Sequence, residues 1–344
     1  MSKTRILVVD DSPLIRQVLI DMLSAEADLE VVGVAKDGVE AIGKARELKP
    51  DLITLDVEMP KMTGLDALIS IMAERPVPVV MVSTRTSVGA TATIQALERG
   101  AIDFVCKPRA GSAAALREVQ QELVTKIRHA KTASVGNKFH APVRAAQPRK
   151  STDKVVLIAS STGGPRALTC LFETLPKDWN VPLLIVQHMP AGFTTSLAAR
   201  LDRIGTVPCR EASEGDQLKP GEALLAPGGL HMKVGNDDRI TLFDGPTLHG
   251  VKPAADHLFE SAAQRFGTKC VAAVLTGMGK DGAAGSLAIK KLGGAVFGEA
   301  ESTCTVYGMP RAAKEIGAVA AEFPIHEIGH ALVAAVAGRV NRAA

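Results

Sequence analysis

Residues Leu157–Leu168 read LIASSTGGPRAL. A short apolar run ends in two serines and then in a Thr-Gly-Gly-Pro turn. Ser, Gly and Pro are turn residues, so the bland reading of Ser160 and Ser161 is turn chemistry. In a parallel α/β sheet, however, ligands sit just beyond the carboxyl ends of the strands. A serine placed there can equally be a nucleophile, and the rest of the chain has to decide.

Outward from this joint the same grammar recurs. Val155–Ala159, Leu183–Val186, Ala223–Ala226, Val271–Leu275 and Ala295–Gly298 read as buried strands of an α/β domain over 153–344. Ile6–Val9, Glu30–Ala35, Leu52–Asp56, Val79–Ser83 and Phe104–Cys106 read the same way over residues 1–125, alternating with amphipathic stretches such as Pro13–Ala25 and Gly38–Leu48. The expected fold class is α/β in two domains. The first is a five-stranded parallel, flavodoxin-like domain, and the second is doubly wound and mostly parallel. Residues 126–152 are expected to be a basic, flexible linker, partly helical at its start. From Lys126 to Thr152 there are seven Lys or Arg and no Asp or Glu. The chain carries a net charge of +3, so everything outside that segment is net negative and the pI says little about nucleic acid. With 3% aromatic residues there is also little to stack on single strands. Five scattered cysteines without a C-x-x-C pair read as reduced thiols of a cytoplasmic protein. No apolar run suits a signal peptide or a membrane span.

In the first domain, Asp10 and Asp11 follow the first strand and Asp56 ends the third. Converging carboxylates repel one another unless a hard cation sits among them. Ser83 ends the fourth strand and Lys107 the fifth. Acids, a hydroxyl and an ammonium around one spot suit phosphoryl transfer to a carboxylate. The segments ILVVDDSP, DLITLDVEMPKMTGLDAL, VVMVSTRT and AIDFVCKP, within residues 3–125, resemble the response-regulator receiver domain. The resemblance implies Asp56 as phospho-acceptor and a Mg²⁺ ion held by Asp10, Asp11, Asp56 and the Glu58 carbonyl. It also implies Ser83, Phe104 and Lys107 as switch and phosphate contacts.

In the second domain, His188 follows the strand LLIVQ directly and Asp281 lies in a Gly-rich loop after VAAVL, so Ser, His and Asp share one edge. A triad is recognised by geometry, not chain order. Here ASSTGGP, VQHMPAGFTTSLAARL, EALLAPGGLHM, VLTGMGKDGAAG and VYGMPRAA are similar to the catalytic domain of chemotaxis protein-glutamate methylesterases, over about 153–335. The resemblance implies Ser161 as nucleophile, His188 as base, Asp281 as orienting acid, and Thr162 and Met278 in the oxyanion and substrate loops. It leaves Ser160 as small filler, and gives Lys252, Pro253 and Asp256 no assigned role. It further implies glutamine deamidation, no cofactor in the catalytic domain, methylated chemoreceptor cytoplasmic domains as substrates and a histidine kinase as phosphodonor, with no nucleic acid and no membrane insertion.

Two other motifs compete. Gly277–Gly282 reads GMGKDG, a G-x-G-x-x-G outline after a strand, which makes a receiver-controlled dinucleotide-binding protein the alternative. His326–His330 reads HEIGH, a zinc-protease outline without a downstream ligand, and Pro324 places it at a helix start. His231, His249 and His257 are expected on the surface or behind the site rather than on substrate.

Overall fold

The computed structural model describes residues 3–84, 86–108, 113–131 and 153–338. The chain divides into two compact units, Met1–Asn137 and Lys138–Ala344.

In the first unit β1 (Thr4–Val9), β2 (Leu29–Ala35), β3 (Leu52–Asp56), β4 (Val79–Ser83) and β5 (Asp103–Cys106) form one sheet. Its order is β2-β1-β3-β4-β5, and every pair is parallel. The helices are α1 (Pro13–Ser24), α2 (Gly38–Leu48), α3 (Gly64–Glu74), α4 (Ser87–Glu98) and α5 (Ala113–Ala130). Each of the first four opens on a side-chain cap, from Ser12, Asp37, Thr63 and Thr86, which satisfies an otherwise unpaired amide of the first turn. β1, β3 and β4 are apolar along almost their whole length because helices cover both faces.

The α5 helix runs into the stretch expected to be a linker partly helical at its start. Residues 126–130 still belong to the helix, and Ile127 and Ala130 are fully buried against the receiver core with Leu123 and Val124. Two of the positive charges that suggested a linker are paired. Lys126 meets Asp103 and Glu122 at 3.3 and 2.7 Å, and Arg128 meets Glu26 and Asp28 at 2.8 and 2.7 Å. The linker expectation for 132–152 lies outside the described residues.

The second unit is built on β6 (Val155–Ser160), α6 (Gly164–Thr174), β7 (Leu183–Gln187), α7 (Phe193–Ile204), β8 (Cys209–Glu211) and β9 (Ala223–Leu225). A hairpin of β10 (His231–Val234) and β11 (Ile240–Phe243) follows, then α8 (Ala255–Phe266), β12 (Cys270–Val274), α9 (Ala283–Lys291), β13 (Ala295–Glu299), α10 (Met309–Glu315), β14 (Ala321–Phe323) and α11 (Ile325–Val336). The main sheet runs β14-β13-β12-β6-β7-β9-β8 and is wholly parallel; only the separate β10–β11 ribbon is antiparallel. From the central β6 the chain moves to one side through β7, passes to the edge strand β8 and returns to insert β9 between them, then builds the other side outward through β12, β13 and β14. The strand order therefore reverses between β6 and β12, which is where open α/β sheets place their ligand crevice.

All five cysteines are free and buried. Burial pushes the Cys170 thiol up to about 11 and those of Cys209 and Cys270 to about 12. No helix among the described residues is long and apolar enough to cross a membrane.

If α5 is receiver structure to its end, Ile127→Ala destabilises the receiver by about 2–5 kcal/mol, the cost of a buried Ile truncation. Hydrogen–deuterium exchange of receiver peptides in the full-length chain should show faster global exchange. A linker residue would leave it unchanged.

Candidate functional site

The first candidate pocket lies at the β1/β3 reversal of the receiver sheet. Asp10, directly after β1, and Asp56, at the end of β3, are both buried, while Asp11 is exposed. One carboxylate oxygen from each of the three lies within 4.8 Å of the others. Lys107 reaches in from the end of β5, with Nζ 2.7 Å from Asp56 and 2.9 Å from Asp10. Burial pushes the Asp56 carboxyl up to about 6; the Lys107 hydrogen bond opposes this and the charge of Asp10 adds to it. Burial disfavours the Lys107 ammonium, but its bonds to the two aspartates outweigh this and raise its pKa. Glu58 donates its amide to Asp56 Oδ1 at 3.3 Å. Three clustered carboxylates against one ammonium leave surplus negative charge, and this donor set fits a hard divalent cation. Gly64 opens α3 where a Cβ would fall 1.8 Å from the Asp56 carbonyl, so only glycine lets the helix start this close to the pocket.

Ser83 and Phe104 stand further back. The Ser83 hydroxyl is fully buried and committed to α4: it donates to the Gly89 carbonyl at 3.2 Å and accepts from Thr93 at 2.8 Å. Phe104 is buried, with Lys126 Nζ 5.1 Å from its ring centroid and donating to its carbonyl at 2.6 Å.

The second candidate site lies at the β6/β12 reversal. Ser161 follows β6, and its amide donates to the Thr276 carbonyl beyond β12 at 3.0 Å. His188 follows β7, and its amide donates to the Ser160 carbonyl at 3.1 Å. His188 Nε2 lies 2.7 Å from Asp281 Oδ2, and both side chains are buried. The other ring nitrogen, Nδ1, is buried and has no hydrogen-bond partner among the described residues. Asp281 is held from below as well. Its Oδ2 accepts the Ala255 amide at 2.6 Å and its Oδ1 accepts the Asp256 amide at 3.1 Å, both at the start of α8. Burial pushes the Asp281 carboxyl up. The His188 hydrogen bond and charge and the two amides outweigh burial and leave the group below the ordinary carboxylate range.

Met278 lies in the loop between β12 and α9, three residues before Asp281, partly exposed, and its amide donates no hydrogen bond among the described residues. Thr162 is buried, and its carbonyl accepts the Thr276 hydroxyl at 2.9 Å. Ser160 is not filler. Its buried hydroxyl donates to Gln187 Oε1 at 2.7 Å, and Gln187 Nε2 donates to the Ser161 carbonyl at 2.9 Å. One amide side chain thereby ties the Ser161 loop to the strand that delivers His188. Gly164 is required here, because a Cβ would fall 1.9 Å from Gln187 Oε1.

The competing motifs do not assemble. A dinucleotide needs free amides at the start of α9, but Asp256 Oδ1 already accepts the Gly285 amide at 2.7 Å, and Asp281 is buried beneath the same loop. His326 opens α11 beside Glu327, outside the possible metal-binding groups found among the described residues. His231 is fully buried, accepting the Ala254 amide on Nδ1 at 3.1 Å, with Nε2 3.0 Å from the Pro246 carbonyl. His249 pairs with Asp256 at 2.9 Å, and His257 packs edge-on against His231. Asp256, Gln187 and Thr276 are the functional neighbours that the sequence reading left without a role.

Comparison with known proteins shows the family. The family model "CheB methylesterase" matches residues 156–332, and "Response regulator receiver domain" matches residues 6–118. A protein-glutamate methylesterase/protein-glutamine glutaminase of Pyrococcus abyssi is 45% identical, covering 97% of this chain and 94% of its own length. One of the same description from Escherichia coli O157:H7 is 40% identical over 99% of this chain and 100% of its own. The crystal structure of the Thermotoga maritima CheB methylesterase catalytic domain matches with a TM-score of 0.51 and 39% identity, covering 53% of this chain and 98% of that one.

Ser160→Ala leaves Gln187 Oε1 short of one partner, whereas Gln187→Leu strips both loops of theirs. Each should cost stability, about 1 kcal/mol for the serine and about 1–3 kcal/mol for the glutamine. Thermal melting followed by the fluorescence of Trp179 reads both, and the expected order is Gln187→Leu below Ser160→Ala below wild type.

Proposed function

Because this chain belongs to the CheB methylesterase family and carries a response-regulator receiver domain, we propose that it is a phosphorylation-activated hydrolase of chemoreceptor glutamate methyl esters, with Ser161, His188 and Asp281 as its triad. It also deamidates receptor glutamines by the same route. The observation that carries the residue assignment is the His188–Asp281 bond, which leaves Nδ1 as the nitrogen available to a nucleophile. Ser161 attacks the ester carbonyl and its proton passes to His188 Nδ1. The oxyanion is met by backbone amides around Met278 and Thr162. His188 returns the proton to the leaving methoxide, and methanol departs. Water, deprotonated by His188, then opens the acyl-enzyme to a free carboxylate and restores Ser161. Asp281 keeps the proton of the neutral ring on Nε2 and stabilises the imidazolium that forms. With a glutamine side chain the same steps release ammonia.

In the receiver, Asp56 is the proposed acceptor of a phosphoryl group from a histidine kinase. Asp10, Asp11, Asp56 and the Glu58 carbonyl would hold Mg²⁺, which supplies charge neutralisation on the phosphoryl oxygens. Lys107, already on Asp56, neutralises a further oxygen. Ser83 reaches the phosphoryl group only by giving up its bonds to α4, and that exchange couples Asp56 to the α4 face. A receiver joined to a hydrolase has one economical use, which is to restrain it until phosphorylated. Tenfold activation needs about 1.4 kcal/mol of differential stability between restrained and free states.

Methanol release from methylated receptor membranes tests the assignment. Ser161→Ala should be inactive, and Asp281→Asn should lose on the order of 10⁴-fold in turnover. Near-normal turnover in either sinks the triad. Asp56→Asn should stay at the basal rate with phosphodonor present. A fragment beginning near Lys150 should exceed the unphosphorylated full-length chain. If it is no faster, the receiver activates positively instead of restraining.

A further inference from the structure

Behind the nucleophile loop, one buried carboxylate belongs to none of the machinery above. Glu299 ends β13 and is 1% exposed. Its Oε2 accepts the Thr276 amide at 2.8 Å and its Oε1 accepts the Thr303 hydroxyl at 3.0 Å. Thr276 in turn is the hub of the loop. Its carbonyl accepts the Ser161 amide, and its hydroxyl donates to the Thr162 carbonyl at 2.9 Å and accepts the Val306 amide at 3.0 Å. Val306 accepts the Gly277 amide at 3.0 Å, one residue before Met278. A cavity of about 10 Å³ is lined by Glu299, Arg166, Gly163, Thr276 and Thr305.

We propose that Glu299 is a positioning residue for ester hydrolysis: by clamping the Thr276 peptide it sets the backbone that carries Ser161, Thr162 and Met278. The inference rests on the triad reading given above. A structural carboxylate could be replaced by any well-packed group, but this one sits two hydrogen bonds from the nucleophile's own backbone.

Its surroundings make the clamp sensitive to protonation. From α6, the cation of Arg166 and the thiol of Cys170 face it. From the loop after β13, Cys304 Sγ donates to its carbonyl at 3.7 Å. From β14, Glu322 is nearby but engaged by Tyr307 and Lys314. Burial pushes the Glu299 carboxyl up to about 7, against the opposing pull of the Thr276 amide, the Thr303 hydroxyl and Arg166. Ionised, both oxygens accept and the clamp is complete. Protonated, one oxygen becomes a donor and Thr303 loses its acceptor. The folded pKa lies above the unfolded one, so the stability Glu299 contributes is full at acid pH and is lost as pH rises through about 7, where the clamp tightens.

The test is the ratio of wild-type to Glu299→Gln turnover across pH, in the full-length protein with methylated receptor membranes. Any pH dependence common to both proteins cancels from the ratio. Glutamine imitates the neutral form, so the ratio should stand near one at acid pH and climb through about pH 7 to roughly tenfold, the effect of one charge-assisted hydrogen bond, in kcat rather than KM. Melting temperature should fall more steeply with rising pH in wild type than in Glu299→Gln. A ratio flat with pH overturns the proposal, as does a folded Glu299→Ala with wild-type kcat. Ser161→Ala measured alongside separates the two readings. An active Ser161→Ala overturns the triad, whereas an inactive one with a flat Glu299 ratio overturns only the clamp.

Discussion

Two carboxylates exchanged between two helix starts hold the catalytic unit's chemistry in place. Neither α8, which begins after Ala254, nor α9, which begins after Gly282, has a capping side chain of its own. Asp281, just before α9, accepts the first amides of α8, and Asp256, in the first turn of α8, accepts the Gly285 amide of α9. Each carboxylate thus meets the positive end of the other's helix, where an anion is favoured. The helices press together closely enough that a Cβ on Gly285 would lie 2.4 Å from the Phe259 Cβ. The arrangement has an electrostatic cost. Burial and the charge of Asp281 push the Asp256 carboxyl up, with the Gly285 amide and His249 opposing. Each carboxylate meets a histidine, but Asp281 accepts two amides where Asp256 accepts one, and the Asp281 pKa is lowered while that of Asp256 is raised. The orientation of the imidazole is therefore set by helix packing as much as by the loop that bears Asp281.

What the sequence made legible follows from the same physics. Strands covered on both faces, such as Ile6–Val9 and Leu157–Ala159, are unbroken apolar runs and can be read directly, and residues at their ends fall on a known edge of the sheet. β8 and β14, at three residues each, and the β10–β11 ribbon are too short to carry a period. Glu299, Thr276 and Asp256 were opaque for another reason. Their partners lie at Thr276, Thr162 and Gly285, so their role exists only once β12 and β13 are neighbours and α8 and α9 are packed. Lys126 and Arg128 misled in the opposite sense. A run of cations looks like a solvated linker until the fold brings Asp103, Glu26 and Asp28 to meet it.

Both candidate sites use the point where strand order reverses, but they fill it differently. In the receiver it gathers carboxylates around an ammonium, leaving charge to be neutralised from outside. In the catalytic unit it gathers backbone amides and an imidazole onto a buried acid, leaving a ring nitrogen without a partner among the described residues. The first arrangement suits a cation, the second the transfer of a proton.

The five buried cysteines have a practical corollary. Thiolate is the reactive form, and burial that raises Cys170 to about 11, Cys209 and Cys270 to about 12 and Cys304 upward as well leaves almost none of it on them at neutral pH; Cys106 is shielded by burial alone. The folded chain is in effect a cysteine-free surface. A single cysteine introduced on the exposed side of α5 and another on α7 would be the two reactive handles in the molecule, so paired fluorophores or spin labels could follow the distance between receiver and hydrolase without removing any native residue.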